Sequence, residues 1–266
     1  MKITIVTIAL DAMPFVTLHY PEFRKLKSDW EWLVAEGVAA PVLDTSWVSK
    51  MAPRLSQDGT TEYLDSVRAF DSRVHVFRRS EWPGKAAMFN RILETIYEPT
   101  ILLQVDSDEC WTAEQIEALV AMFQRDRSKN SAYFYCRYFV GRDLVIATRN
   151  GFGNHTEYEW LRAWRFVPGM RFERHEPPVI DGLTLNPFTH AETESEGIVF
   201  DHFAYATEAQ VRFKQEYYGS HNNPKGHLYT GLVDKWRALQ NVTKFPVKLK
   251  DYFPFVDEEC LVDRVQ

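Results

Sequence analysis

The stretch Ile101-Leu102-Leu103-Gln104-Val105-Asp106-Ser107-Asp108-Glu109 decides how the rest of the chain is read. Its apolar residues sit on consecutive rather than alternate positions, which describes a strand central in a sheet covered on both faces. Acids follow at once, at the carboxyl end of that strand, where open α/β sheets bind their ligands. In extended backbone residues two apart point the same way, so Asp106 and Asp108 are expected to face one ion. Hard carboxylate oxygens suit Mg²⁺ or Mn²⁺. Two bare carboxylates repel a diphosphate by about 4 kcal/mol for each charge pair at ~4 Å and an effective dielectric of ~20. A divalent cation between them reverses that sign and stabilises a departing phosphate. The competing reading is that these acids only favour the start of the next helix.

The flanking sequence alternates strand and helix. Ile3 to Leu10 reads as a first buried strand, Pro14 and Pro21 bracket a short helical stretch, and Trp30 to Val34 reads as a second strand ending in Glu36-Gly37. Pro41 to Thr60 has no clear period and reads as a long functional loop. Helical spacing returns at Tyr63, Leu64, Val67 and Phe70. A third strand follows at Val74 to Phe77, then a helix from Lys85 to Tyr97, stopped by Pro99. Thr112 and Gln115 form a capping-box pattern for a helix to Phe123. Four strands alternating with helices predict a parallel, doubly wound core. Beyond residue 130 short strands are expected at Tyr133 to Tyr135, Leu144 to Ile146 and Ala163 to Phe166. Helices follow from Thr207, with Gln210 as capping partner, and from Thr230 to Leu239. No repeat or low-complexity linker divides the chain, so residues 1–266 read as one domain.

Composition excludes several classes. With 31 basic against 37 acidic residues and a net charge of −6, the chain is not suited to nonspecific binding of nucleic acid, which needs clustered Lys and Arg. Cys110, Cys136 and Cys260 form no CxxC pair, which favours a reducing, cytoplasmic setting. The apolar opening is too short to span a bilayer and lacks a cleavage site, so no membrane span or signal peptide is expected. Gly84-Lys85 is followed by Ala86, so there is no Walker-type phosphate loop. His175-Glu176-Pro177-Pro178-Val179 is not a zinc-protease HExxH.

The strand Ile5-Val6-Thr7-Ile8-Ala9, the acid of Val34-Ala35-Glu36-Gly37, the helix start Gly84-Lys85-Ala86-Ala87-Met88-Phe89-Asn90 and the Asp106-Ser107-Asp108 metal motif (DXD) stand in a telling order. Arg165 to Phe172 leads into His175-Glu176, and Asp201-His202-Phe203-Ala204-Tyr205 comes later. This arrangement resembles the GT-A fold and, within it, family-2-like nucleotide-sugar glycosyltransferases. The resemblance covers about residues 3 to 110 well and about 160 to 215 patchily. It implies an α/β, GT-A (Rossmann-like), mostly parallel central sheet flanked by helices, with a mixed-sheet extension in the C-terminal half. Residues 1–110 form the nucleotide-sugar-binding half and 111–266 the acceptor-side half. The chain departs from the pattern in two places. Glu36 replaces the commoner Asp, and the loop holding Asp44-Thr45-Ser46-Trp47 and Asp58-Gly59-Thr60 is not a minimal family feature.

The implied activity is transfer of a hexose-type sugar from a nucleotide-diphosphate sugar, a UDP-sugar favoured over a GDP-sugar, to a carbohydrate or other hydroxyl acceptor, with inversion. Asp106, Asp108 and His202 are the implied metal ligands. The imidazole tilts the choice from Mg²⁺ towards Mn²⁺. Ala9, Glu36, Asp58, Lys85 and Asp106 are the expected donor contacts, although turn chemistry explains Asp58 equally well. Glu176 is the expected base that takes the acceptor proton, with Asp181, Glu157 and Glu159 as alternatives. Trp111, Tyr158, Trp160 and Trp164 are candidates for a sugar-lining cleft, and Ser220 to His227 for a mobile lid. Two rival functions are a nucleotidyltransferase and a non-catalytic nucleotide- or sugar-binding protein. The first expects a basic glycine-rich loop where this chain has Asp11-Ala12-Met13-Pro14.

Overall fold

The structure is a computed structural model that describes residues 1–265; the side chain of Asp44, in the long loop, lies outside the described part. The first half holds β1 (Ile3–Ala9), α1 (His19–Phe23), β2 (Trp30–Ala39), α2 (Thr60–Phe70), β3 (Val74–Trp82), α3 (Lys85–Leu93), β4 (Thr100–Gln104), β5 (Glu109–Cys110) and α4 (Ala113–Arg125). Next come β6 (Ser131–Tyr133), β7 (Tyr135–Tyr138), β8 (Leu144–Ile146), β9 (Leu161–Phe166), β10 (Phe172–His175), β11 (Pro178–Ile180) and β12 (Pro187–Phe188). The chain finishes with α5 (His190–Ser195), β13 (Val199–His202), α6 (Glu208–Tyr218), α7 (Leu232–Gln240), β14 (Val247–Lys248) and β15 (Leu261–Arg264).

A seven-stranded sheet runs in the order β12-β6-β9-β4-β1-β2-β3. β3, β2, β1 and β4 are parallel, and β9 pairs antiparallel with β4. The parallel core is therefore the N-terminal part, and the mixed extension begins at β9. The period of two sorts each strand between two cores. Ile3 and Ile5 of β1 and Ile101 and Leu103 of β4 pack with Leu64 of α2 and Ile116 and Leu119 of α4. On the other face, Val6 and Leu102 pack with Phe89 and Ile92 of α3, Trp82 and Trp164.

Several boundaries differ from the sequence expectation: β3 runs on to Trp82 and the stretch Tyr133 to Tyr135 is divided between β6 and β7, and two more have a clear cause. β2 continues through Gly37 to Ala39 because its pairing with β3 resumes beyond a bulge between Glu36 and Val38. Gly37 permits this: its φ is +131°, and a Cβ there would lie 1.8 Å from the Arg79 carbonyl oxygen. α3 stops at Leu93 rather than Tyr97, since Thr95 and Ile96 donate to carbonyls only three residues back, tightening the end. Tyr97 is left 82% exposed.

Thr112 and Thr207 each form complete capping boxes, with Gln115 and Gln210, as their spacing predicts. A small sheet, β5-β13-β7, stands beside the end of β4 and sets His202 opposite Glu109. Among the described residues no helix is long and apolar enough to cross a membrane. Thr207→Ala removes the acceptor for the Gln210 amide and should lower unfolding stability by about 1 kcal/mol, measured by denaturant titration. An unchanged midpoint would mean that α6 does not depend on its cap.

Candidate active site

At the end of β4 the chain leaves the sheet in a turn, with the Glu109 amide donating to the Asp106 carbonyl at 2.9 Å. That turn cancels the alternation expected for extended backbone. Asp106 and Asp108 line one cavity of about 630 Å³ but face different partners. Asp106 Oδ2 accepts from Arg162 Nη2 at 2.7 Å and its Oδ1 from Gln104 Nε2 at 2.9 Å. Asp108 Oδ1 lies 3.5 Å from His202 Nε2, and its Oδ2 lies 3.9 Å from Lys214 Nζ. Burial alone would raise both carboxyls. For Asp106 the Arg162 guanidinium outweighs it, and for Asp108 the His202 imidazole does so with help from Lys214, so both stay below the ordinary carboxylate range.

Arg162 comes from β9 and is 5% exposed. Besides Asp106 it holds Glu109, with Nε at 2.9 Å and Nη2 at 2.8 Å from Oε1. Glu109 is fully buried, and desolvation pushes its pKa up to about 7 against the pull of Arg162. Lys214, on α6, lies 4.5 Å from the centroid of the Tyr205 ring. Burial lowers its pKa, with Asp108 opposing.

The β10–β11 hairpin brings a second charge pair to the same cavity. Asn90 of α3 clamps it by donating to the Phe172 carbonyl at 3.0 Å and accepting from the Phe172 amide at 2.8 Å. Phe89 stacks on His175, with centroids 5.1 Å apart. The tip residue Glu176 then meets Lys85 Nζ at 2.6 Å. Lys85 is largely enclosed, while the Glu176 side chain is 42% exposed; each holds the other ionised, with Glu176 below the usual carboxylate range and Lys85 above the usual amine range.

Ala9, Lys85, Asp106, Asp108, Glu176 and His202 thus line one cavity. Glu36 and Asp58 are placed otherwise. Glu36 is fully buried, with Oε2 accepting from Arg78 Nε at 2.7 Å and Oε1 from Thr61 Oγ1. Asp58 accepts from the Met13 amide at 2.8 Å and from Thr60 Oγ1 at 2.6 Å, the turn chemistry its Asp-Gly sequence suggests. Of the alternative bases, Glu159 lines the cavity, whereas Glu157 and Asp181 are not among its lining residues. Tyr158 and Trp160 line it as well. Trp111 and Trp164 are core residues, 1% and 0% exposed, which corrects the expectation of a cleft role.

The long loop reaches over the cavity through Trp47 and Met51. It is tied to α6 by Ser49, whose amide donates to the Tyr217 carbonyl at 2.8 Å, and by stacking of Trp47 on Tyr218. Arg162 and Lys214 were not singled out by the sequence. Arg162 lies between the core residues Leu161 and Ala163 of β9. Lys214, with Phe213, Tyr217 and Tyr218 at helical spacing, was the readable signal for a cavity-facing side of α6.

A parallel sheet with acids and paired cations at its strand ends offers a site where open α/β sheets bind ligands. Residues 55–185, just under half of the chain, match the family model described as Glycosyl transferase family 2. That match, on a mostly parallel sheet flanked by helices, supports a family-2-like glycosyltransferase with a GT-A-like fold. Among solved structures it is similar to S. aureus TarS, at 16% identity over 62% of this chain and 28% of that one, with a TM-score of 0.44. S. aureus TarS 1-349 in complex with UDP-GlcNAc gives 16% identity over 62% and 45%, also at 0.44. The mannosyltransferase PcManGT from Pyrobaculum calidifontis, in complex with GDP-Man and Mn2+, gives 15% over 51% and 35%, at 0.39. The match spans less than half the length of each of these chains. No curated protein matches the sequence.

Glu36→Ala leaves Arg78 with Asp65 as its only ion-pair partner among the described residues. Because Arg78 is partly solvated, the expected loss is about 2 kcal/mol of stability, below the range for a fully buried pair. Thermal unfolding checks this. An unchanged melting temperature together with lost nucleotide binding would show that Glu36 serves the ligand rather than the fold.

Proposed function

We propose that the chain transfers a hexose-type sugar from a nucleotide-diphosphate sugar, a UDP-sugar in preference to a GDP-sugar, to a carbohydrate or other hydroxyl acceptor with inversion. Residues 1–266 act as one unit, with 1–110 holding the donor and 111–266 the acceptor side, in the cytoplasm. The observation that carries this reading is the convergence of Asp106, Asp108 and His202 with the Lys85–Glu176 pair on one cavity.

A divalent ion, Mn²⁺ or Mg²⁺, fits part of this donor set. Asp108 Oδ1 and His202 Nε2 are 3.5 Å apart, near the ~3 Å between adjacent ligands of one ion with bonds of ~2.1 Å. Asp106 already accepts hydrogen bonds on both oxygens. Among the described residues no group of three or more His, Cys, Asp or Glu is disposed to hold a metal. We therefore assign Asp108 and His202 as the protein's direct ligands, with donor phosphate oxygens completing the set. Asp106 serves the ribose or sugar. The ion supplies charge neutralisation of the diphosphate when bound.

The chain's own cations divide the remaining work. Lys214, beside Asp108, faces the leaving diphosphate. Lys85 exchanges its carboxylate partner for donor phosphate oxygens, which raises the basicity of Glu176 for the acceptor proton. Glu159 is the alternative base, because it lines the same cavity and burial raises its pKa.

Asp108→Ala should abolish metal-dependent donor binding, read by calorimetry with and without Mn²⁺, while the melting temperature without ligand stays near wild type. Retained binding with a large loss of stability would assign Asp108 to the fold. Glu176→Gln should spare donor binding and depress transfer, and unchanged transfer would pass the role to Glu159. The pH profile gives a further check. A depressed Glu176 stays ionised until the pH falls below the ordinary carboxylate range, so the acid limb of kcat/KM belongs there. Lys85→Met removes the cation that depresses it and should move that limb to higher pH; an unmoved limb would show that the pair does not govern the base.

A further inference from the structure

We propose that Arg162 is a specificity residue for the donor sugar, with its guanidinium anchored on one edge by buried carboxylates and offering Nη1 to hydroxyl oxygens of a neutral transferred sugar. This rests on the donor reading above and deepens it.

The anchoring is unusually complete for an arginine at a cavity wall. Nε donates to Glu109 Oε1 at 2.9 Å, and Nη2 lies 2.7 Å from Asp106 Oδ2 and 2.8 Å from Glu109 Oε1. Glu109 is itself fixed, since its Oε2 accepts from Trp111 Nε1 at 3.2 Å and from the Asp106 amide at 3.3 Å. The Arg162 Cζ lies 4.9 Å from the centroid of the Trp160 ring. Two of the three guanidinium nitrogens are thereby committed. Among the described residues Nη1 has no hydrogen-bond partner and is not one of the enclosed polar atoms left without one, while Arg162 lines the cavity. A planar fork held along one edge presents its other N–H groups in a fixed direction, at little further entropy cost.

The chemistry at that edge is one-sided. Arginine only donates, so it recognises oxygen lone pairs. The adjacent Asp106 only accepts when ionised, so the two together match the donor and acceptor faces of sugar hydroxyls. Two carboxyl groups already share this guanidinium, and a uronate would bring another beside the ionised Asp106. A neutral hexose therefore suits it better than a uronate. The position also fits: Arg162 adjoins Asp106, at the donor end, and Glu176 acts on its charge from across the cavity. The transferred sugar must lie between leaving group and base.

Removing such a contact should show as a split between nucleotide and nucleotide-sugar. Two variants address folding: Arg162→Lys keeps the charge but loses the fork, and Arg162→Gln with Glu109→Gln removes one group of each sign, so the fully buried Glu109 is not left without its cation. Calorimetry with UDP, GDP and their neutral hexose and uronate donors, together with donor hydrolysis or transfer rates, provides the readout. The expected result is nucleoside-diphosphate affinity within about threefold of wild type in both folded variants. The additional affinity contributed by a neutral hexose should disappear, and kcat/KM should fall by about 10- to 100-fold, the scale of one lost charge-assisted hydrogen bond. A wild-type preference for the uronate donor would overturn the assignment. So would variants that bind nucleotide and nucleotide-sugar in the wild-type ratio, or that lose both equally. Wild-type protein that binds no nucleotide-sugar would instead bring down the donor reading itself, and this inference with it.

Discussion

Asp106 and Glu109 are carboxylates crowded at one strand end, one of them wholly buried, and Arg162 is the cation that permits this. An unpaired ion in such surroundings costs several kcal/mol, more than most single contacts in a fold return. The guanidinium answers both acids because it has separate nitrogens at fixed angles. A lysine at the same point has only one nitrogen to share. Arg162 engages Asp106 and Glu109, while Asp108 meets His202 and Lys214.

The sheet makes the commitment possible. β9 is the first antiparallel partner of the parallel set, and its pairing with β4 puts Ala163 beside Leu103. Arg162 therefore sits just past the end of the pairing, where β4 releases its acids. A further parallel strand would run the other way and carry its ends elsewhere. The change of direction at β9 is thus part of how the site acquires its cation. The cluster joins elements from both halves of the chain, so the chemistry depends on long-range pairing rather than on any local motif.

Much of the frame was legible because its signals are local. The continuous apolar run of Ile101 to Val105 gave the central strand, and Thr112 with Gln115 and Thr207 with Gln210 gave two helix starts through hydrogen bonds spanning three residues. The order of Gly84-Lys85, Asp106-Ser107-Asp108 and Asp201-His202 placed Lys85, Asp106, Asp108 and His202 around one cavity. The illegible part consists of choices between partners. Strand alternation predicts that Asp106 and Asp108 face one point, and a turn beginning one residue later gives each its own partners. Nothing nearby in sequence announces Arg78 or Thr61, the partners that Glu36 meets. Trp111 and Trp164 carry the same side chain as Trp160, yet only their surroundings separate a core filler from a cavity wall. Arg162 gave no signal at all, since an arginine between Leu161 and Ala163 resembles any outward residue of a strand.

β13 enters the site as the middle strand of three, with His202 opposite Glu109 on one side and Tyr138 on the other. Its neighbours along the chain are Asp201, already bound to Arg137, and Phe203. Strand pairing is discrete, so a slip of one step would deliver a carboxylate or a phenyl ring where the imidazole now stands. The identity of the atom offered beside Asp108 is therefore decided by backbone hydrogen bonds, and the fidelity of a four-residue ladder sets whether nitrogen, oxygen or no ligand at all arrives there.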